Sequence, residues 1–218
     1  MSTTVTEKNF ASRNRKKQSE FRKQQLIEAT IECIDKLGLS QTTLAKIAER
    51  AGLSQGNVVF HFQSKDALLE QTLHHLNDEY QANWQQAVAA AGDNPYQQLR
   101  AMARSAFAPH ICNRKKISVW FAFWGESRSR PKYMKICGSS DQAFSEKLLA
   151  LCEAIENRHG ASLGAGTAAL SIEGMIDGQW QNFLLGNSGF KRDRAIQAAF
   201  ELIDCAYPAA AGAGPQKL

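Results

Sequence analysis

The sequence predicts an all-α fold: apolar residues recur mainly at spacings of three and four, few stretches alternate as strands do, and only 5 prolines interrupt the chain. At 218 residues and 44% hydrophobic content the chain can bury one or two substantial cores. A three-helix N-terminal domain followed by a larger helical domain is expected, about nine helices in all. The longest apolar run, around Val119 to Trp124, is far shorter than the roughly 18 residues that span a bilayer. No apolar segment follows the basic N-terminus, as a signal peptide would require. A cytoplasmic protein with no membrane partner is expected.

Lys8, Arg13, Arg15, Lys16, Lys17, Arg22 and Lys23 form a basic arm leading into the first helix, and residues 1–18 are expected to be disordered in the free protein. Phe21 to Leu37 places Leu26, Ile27, Thr30, Ile31, Ile34 and Leu37 on one side of a helix that Gly38 stops. Thr43 caps a second helix in which Leu44, Ile47 and Ala48 face inward and Lys46, Glu49 and Arg50 outward. Gly52 suits a left-handed stop, and Leu53 supplies the apolar contact that often accompanies one. Ser54 then caps Gln55 to Phe62, which should bury Val59 and Phe62 or their neighbours.

Two short helices about a glycine turn have the layout of a helix-turn-helix DNA reader. The second offers Gln55, Asn57 and His61, side chains that can hydrogen-bond base edges or phosphates. An ordinary helical hairpin has the same pattern; the charge distribution favours the reader. Residues 1–65 hold 11 Lys and Arg against 6 Asp and Glu, whereas residues 66–218 hold 15 of each, so the whole net charge of +5 sits at one end. Such a cluster binds a polyphosphate by releasing its counterions. Domain limits of 19–64 for the reader, 65–208 for the larger helical domain and 209–218 for a disordered tail follow from this reading.

Ser64 caps a long helix from Lys65 to about Ala90 whose stripe is Leu68, Leu69, Leu73, Leu76, Tyr80, Trp84 and Val88. Gly92 to Pro95 ends it, and Tyr96 to about Ala108 follows. Further helices are expected around Cys112 to Glu126, Pro131 to Arg158, Gly164 to Leu185 and Arg192 to Tyr207. The five cysteines are scattered and odd in number, which suits neither a disulfide framework nor a zinc site. Reduced thiols are expected.

Within the larger domain, Trp120 and Trp124 share a helix face, with Phe123 beside them, and Glu173, Asp177 and Trp180 share another. A quaternary ammonium ion has no hydrogen-bond donor, so aromatic faces and a carboxylate are what recognise it. These six residues are the candidate ligand set. Tryptophans in helical proteins also serve simply as core, but a carboxylate at Asp177 within an apolar helix is costly to bury without a partner. Glu156 and His159 have the spacing of a di-iron motif without a second copy. No phosphate loop or nucleophile elbow appears either, so neither an enzyme nor any cofactor or metal is expected.

Residues 21 to 65 resemble the DNA-binding domain of TetR-type repressors, through Leu37-Gly38, Thr43-Leu44-Ala45-Lys46-Ile47-Ala48, Ala51-Gly52-Leu53-Ser54 and Val59-Phe60-His61-Phe62 with Lys65. Val119 to Trp124 together with Ile176 to Trp180 resembles the choline-responsive BetI-like branch, and the resemblance extends to about residue 207. It implies a repressor of choline and glycine betaine genes that binds a near-palindromic double-stranded operator as a homodimer and is released by choline. Its DNA contacts would be Thr43, Ser54, Gln55, Gly56, Asn57, Val58, His61 and Lys65, with Gln55 and Asn57 on bases and Thr43, His61 and Lys65 on phosphates. The last two helices would pair across the dimer, with Ile196, Phe200 and Ile203 as the seam and Ala168, Gly174 and Gly178 allowing close approach. A regulator of another hydrophobic cation or drug, and a non-specific nucleoid protein, are the alternatives.

Overall fold

The computed structural model describes residues 3–186 and 190–212, with the side chains of those from residue 13 onward except residue 140. Ten helices run through them: α1 (Thr3–Leu37), α2 (Leu44–Ala51), α3 (Gln55–Phe62), α4 (Lys65–Ala90), α5 (Pro95–Ser105), α6 (Arg114–Ser127), α7 (Pro131–His159), α8 (Ala165–Leu184), α9 (Arg192–Ala206) and α10 (Pro208–Gly212). The described residues contain no strand. None of these helices is long and apolar enough to cross a membrane.

Local chemistry sets the boundaries. Thr43, Ser54, Ser64, Asn94 and Asn113 each accept a backbone N–H from the first turn of the helix they precede, satisfying donors that would otherwise have no partner. Gly52 takes φ +64° and closes α2 with the Leu53 N–H bonded to the Ala48 carbonyl at 2.9 Å, and Leu53 packs against the core. Gly38, at φ +78°, ends α1.

The arm is the first correction. Residues 3–18 are the beginning of α1, which runs 35 residues without a break. No glycine or proline lies in that span, and the basic composition that suggested disorder is compatible with an exposed helix. At the other end, Ala209 to Gly212 belong to α10 rather than to a disordered tail; residues 213–218 and 1–2 lie outside the described residues.

One continuous core results. α1, α2 and α3 enclose Leu26, Ile31, Ile34, Ile47, Ala48, Val58 and Phe62. The expected stripe of α4 is buried along its whole length and forms the spine of the larger domain. Asn77, also buried there, donates its amide to the Ile136 carbonyl of α7 at 2.8 Å. α5 lies on α9, where Asp204 accepts from the Tyr96 hydroxyl at 2.5 Å and from Arg100 at 2.6 Å.

The expected dimer seam is corrected here in part. Phe200 and Ile203 are buried within the chain, and the Arg100 guanidinium sits 3.8 Å from the Phe200 ring centroid. The face of α8 is open instead: Leu170 is 73% exposed, and a methyl added at Gly174 or Gly178 would meet no atom within 4 Å. Ala168 is buried.

Candidate functional site

The reader is built around α3. Gln55 and Gly56 are exposed, and Asn57 and His61 are half-buried at its edge. Ser54 organises the start: its Oγ accepts the Asn57 backbone N–H at 3.4 Å and the Asn57 side-chain amide at 2.9 Å, so the carboxamide is oriented by the cap. Thr43 is exposed at the start of α2, its hydroxyl oxygen accepting the Lys46 N–H at 3.3 Å. Lys65, half-buried at the start of α4, reaches the Leu39 carbonyl at 3.4 Å.

Val58 is the exception among the candidate DNA contacts. It is 0% exposed and belongs to the core, whereas Val59 is 45% exposed. The helix is turned by one residue from the phase that buries Val59, because Val58 and Phe62, four apart, are the pair that faces α1 and α2. A side chain without solvent contact cannot touch a base. Phe60, at 80% exposure, is the aromatic that the same rotation leaves uncovered.

In the larger domain four helices converge on a cavity of ≈ 100 Å³ lined by Tyr80, Trp120, Trp124, Asp141, Phe144, Glu173, Ile176, Asp177 and Trp180. Five of the six residues expected to bind a ligand are brought together here. Phe123 is not among them: it is fully buried and meets the Tyr133 ring edge-on, centroids 5.0 Å apart. α6 is apolar on several sides at once, so its two phenylalanines and two tryptophans point to different neighbours.

Tyr80, Asp141 and Phe144 were not singled out as ligand residues. Tyr80 stood in the α4 stripe, a signal for burial alone; Asp141 and Phe144 are three apart on α7, which puts an acid and a ring on one face. The rings form two contacting groups in the lining. Tyr80 lies 5.5 Å from Phe144 and 5.7 Å from Trp180, and Trp120 lies 6.1 Å from Trp124, between centroids. The Trp180 indole N–H donates to the Ala106 carbonyl at 3.0 Å, which fixes its plane. The Trp124 Nε1 is buried without a hydrogen-bond partner.

Three carboxylates complete the lining. Glu173 accepts the Ser145 hydroxyl at 2.6 Å. Asp141 and Asp177 each keep one edge in water but are crowded by protein, and both carboxyls are pushed up to about 6. Burial is the main cause in each case; Glu173 adds to the shift at Asp177, and Asp177 and Glu173 add to it at Asp141. Burial also raises the Tyr80 phenol well above its ordinary range, with Asp177 contributing, so its ring stands neutral in the wall. No group of three or more His, Cys, Asp and Glu side chains among the described residues is arranged to hold a metal.

A helix-turn-helix joined through a helical domain to an aromatic pocket defines a DNA-binding transcriptional regulator. Residues 26–72 match the family model of bacterial regulatory proteins of the tetR family, and residues 95–206 match that of the BetI-type transcriptional repressor C-terminal domain. The HTH-type transcriptional regulator BetI of Stenotrophomonas maltophilia is 34% identical over 190 residues, covering 87% of this chain and 95% of that one. BetI of Paraburkholderia xenovorans is 35% identical over 187 residues, covering 85% and 93%. A crystal structure of a transcriptional regulator from Pseudomonas aeruginosa PAO1 superposes with TM-score 0.75 at 26% identity, covering 89% and 92%. Another, a transcriptional regulator from Saccharomonospora viridis in complex with choline, gives TM-score 0.72 at 21% identity, covering 85% and 96%. The chain belongs to the TetR family and carries a BetI-type C-terminal domain; it is a transcriptional repressor and not an enzyme.

Proposed function

We propose that this repressor is released from its operator by a quaternary ammonium ion of choline size, and that it controls choline and glycine betaine genes. The observation that carries the reading is the pocket: five aromatic rings and three carboxylates around ≈ 100 Å³, with no lysine or arginine in the lining. Cation–π attraction acts within about 6 Å of a ring centroid, so a small cation held among rings spaced this closely would contact several faces at once. The small volume disfavours a bulky drug. The Saccharomonospora viridis neighbour, a transcriptional regulator in complex with choline, supports this reading of the ligand.

Residues 19–64 would read DNA and 65–208 would bind the effector and dimerise, in the cytoplasm. Gln55 and Asn57 would reach bases, with Thr43, Ser54, Gly56, His61 and Lys65 at the backbone. Two copies related by a two-fold axis would place their α3 helices about one duplex turn apart and so select a near-palindromic site. Release requires the cation to prefer the other spacing; a typical coupling of about 1–3 kcal/mol changes operator affinity about 5–150-fold. Calorimetry with choline on the wild type and on Trp180→Ala, paired with a shift assay on the DNA upstream of the gene, tests this. Equal choline affinity in the two proteins would exclude the pocket, and DNA binding indifferent to choline would exclude the switch.

A further inference from the structure

α3 leaves two neighbouring apolar side chains uncovered, Val59 at 45% and Phe60 at 80% exposure. Residues 55 and 59 form one row along the helix, and residues 56 and 60 the next, so Val59 and Phe60 share a strip with Gln55 and Gly56. That strip flanks the Val58 and Phe62 face, which fills the core, and Phe60 is its member turned farthest from that face. Gly56, one turn before Phe60, adds no bulk, and a Cβ there would meet only the Ser54 hydroxyl, at 3.7 Å. Beside Phe60 the strip is therefore flat enough to approach a surface closely. The ring contact described for Phe60 is the edge of His61, centroids 5.0 Å apart, which leaves the rest of the ring bare.

Single exposed hydrophobic residues are common and mean little. This pair is different because it continues the polar reading face of a helix that enters a major groove. There the bases present donors and acceptors at nearly every position, and a single apolar group, the C5 methyl of thymine. We infer that Val59 and Phe60 read thymine methyl groups, so that the operator half-site carries thymines where this strip crosses it. The inference rests on the operator-binding reading and adds to it a base preference that Gln55 and Asn57 do not supply.

The experiment begins with duplexes selected from a randomised pool by the full-length protein. Thymine in the selected half-site is then replaced, position by position, by deoxyuridine, which keeps the pairing and removes only the methyl. Burying one methyl-sized group corresponds to about a fourfold change in affinity, so one or two positions per half-site should each lose about that factor. Phe60→Ser and Val59→Ser should flatten the thymine-to-uracil ratio while leaving the melting temperature unchanged. Phe60→Leu, still apolar, should retain much of the ratio and keeps it measurable if Phe60→Ser binds too weakly. Uracil duplexes bound as tightly as thymine duplexes at every position would overturn the inference and leave the operator reading intact. Failure to select any sequence would sink both. A change of oligomeric state in Phe60→Ser, with the ratio preserved, would assign the strip to a protein contact instead.

Discussion

Ser118 on α6 donates its hydroxyl to the Asp35 carboxylate on α1 at 3.0 Å, tying the larger domain to the first helix of the reader. One turn earlier Lys115 pairs with Glu32 at 2.7 Å, on the same helix that carries Trp120 and Trp124 into the pocket. α4 is one link between the domains, since it brings Tyr80 to the pocket and begins directly after α3. α6 is a second rigid connection. Ser118→Ala should leave choline affinity within about twofold and shrink the choline-induced loss of DNA affinity several-fold, since one hydrogen bond is worth about 0.5–1.5 kcal/mol. Calorimetry and a shift assay on the same preparation measure both, and an undiminished release by choline would assign the coupling to α4 alone.

Trp180 and Trp84 are both buried, but only the Trp180 indole has a hydrogen-bond partner, the Ala106 carbonyl. Trp180→Phe strands that carbonyl in the interior at a cost of about 1–3 kcal/mol, whereas Trp84→Phe loses no such bond. For a chain of this size each kcal/mol corresponds to a melting shift of about 2–4 °C. Thermal unfolding should therefore separate the two variants by several degrees, with Trp180→Phe the less stable.

Asp141 and Asp177 titrate near 6 in the folded protein, against 3.8 for an unperturbed aspartate. The folded state thus binds protons more tightly, and the contribution of these two groups to stability falls as pH rises from about 4 to about 6, then levels off. Affinity for the proposed cation should run the other way, because ionised carboxylates would be what attract it. Choline binding should strengthen from pH 5 to 7 and flatten above, and Asp141→Asn with Asp177→Asn should remove most of that slope. Titrations at several pH values with constant ionic strength check it; a slope unchanged in the double variant would place the titrating group elsewhere.

Val58 and Gln55 should separate folding from reading. Val58→Ala removes buried methyls from the reader core at a cost of about 1–3 kcal/mol and lowers the melting temperature. Gln55→Ala touches an exposed side chain and should weaken operator affinity with the melting temperature unchanged. Parallel melting curves and shift assays would contradict this assignment if Gln55→Ala were the destabilised protein.

The open face of α8 sets the expectation for assembly. Leu170→Glu puts a charge where a second copy would press on Leu170, Gly174 and Gly178. Sedimentation should show the variant shifted toward monomer at concentrations where the wild type is dimeric. A variant as dimeric as the wild type would move the interface away from this face.

Helix positions were legible because caps and stops are local chemistry: Thr43, Ser54, Ser64, Gly38 and Gly52 each act within one turn. The rotation of α3 was not, since adjacent valines in an eight-residue helix leave periodicity little to distinguish Val58 from Val59. The tryptophans and acids of the pocket could be read from spacing along α6 and α8. Tyr80, Asp141 and Phe144 could not, because their meeting depends on how α4 and α7 cross those helices. Phe200 and Ile203 form an apolar row that serves a contact within the chain as well as one between chains. What decided it was the tertiary placement of Arg100 and Tyr96 on α5.

The lopsided charge has an effect that precedes any contact with a base. With its surplus of +5 carried by residues 1–65 and none by the remainder, the molecule is an electrical dipole in front of a polyanion. A torque acts on such an object as it diffuses, so it arrives reader-end first more often than chance, and electrostatic guidance of this kind speeds encounters about 10–10³-fold at low ionic strength. Loosely held by phosphates alone, it can then slide along the duplex until a matching site stops it. The neutral remainder adds no net attraction of its own to the duplex, which leaves the search to be governed by salt.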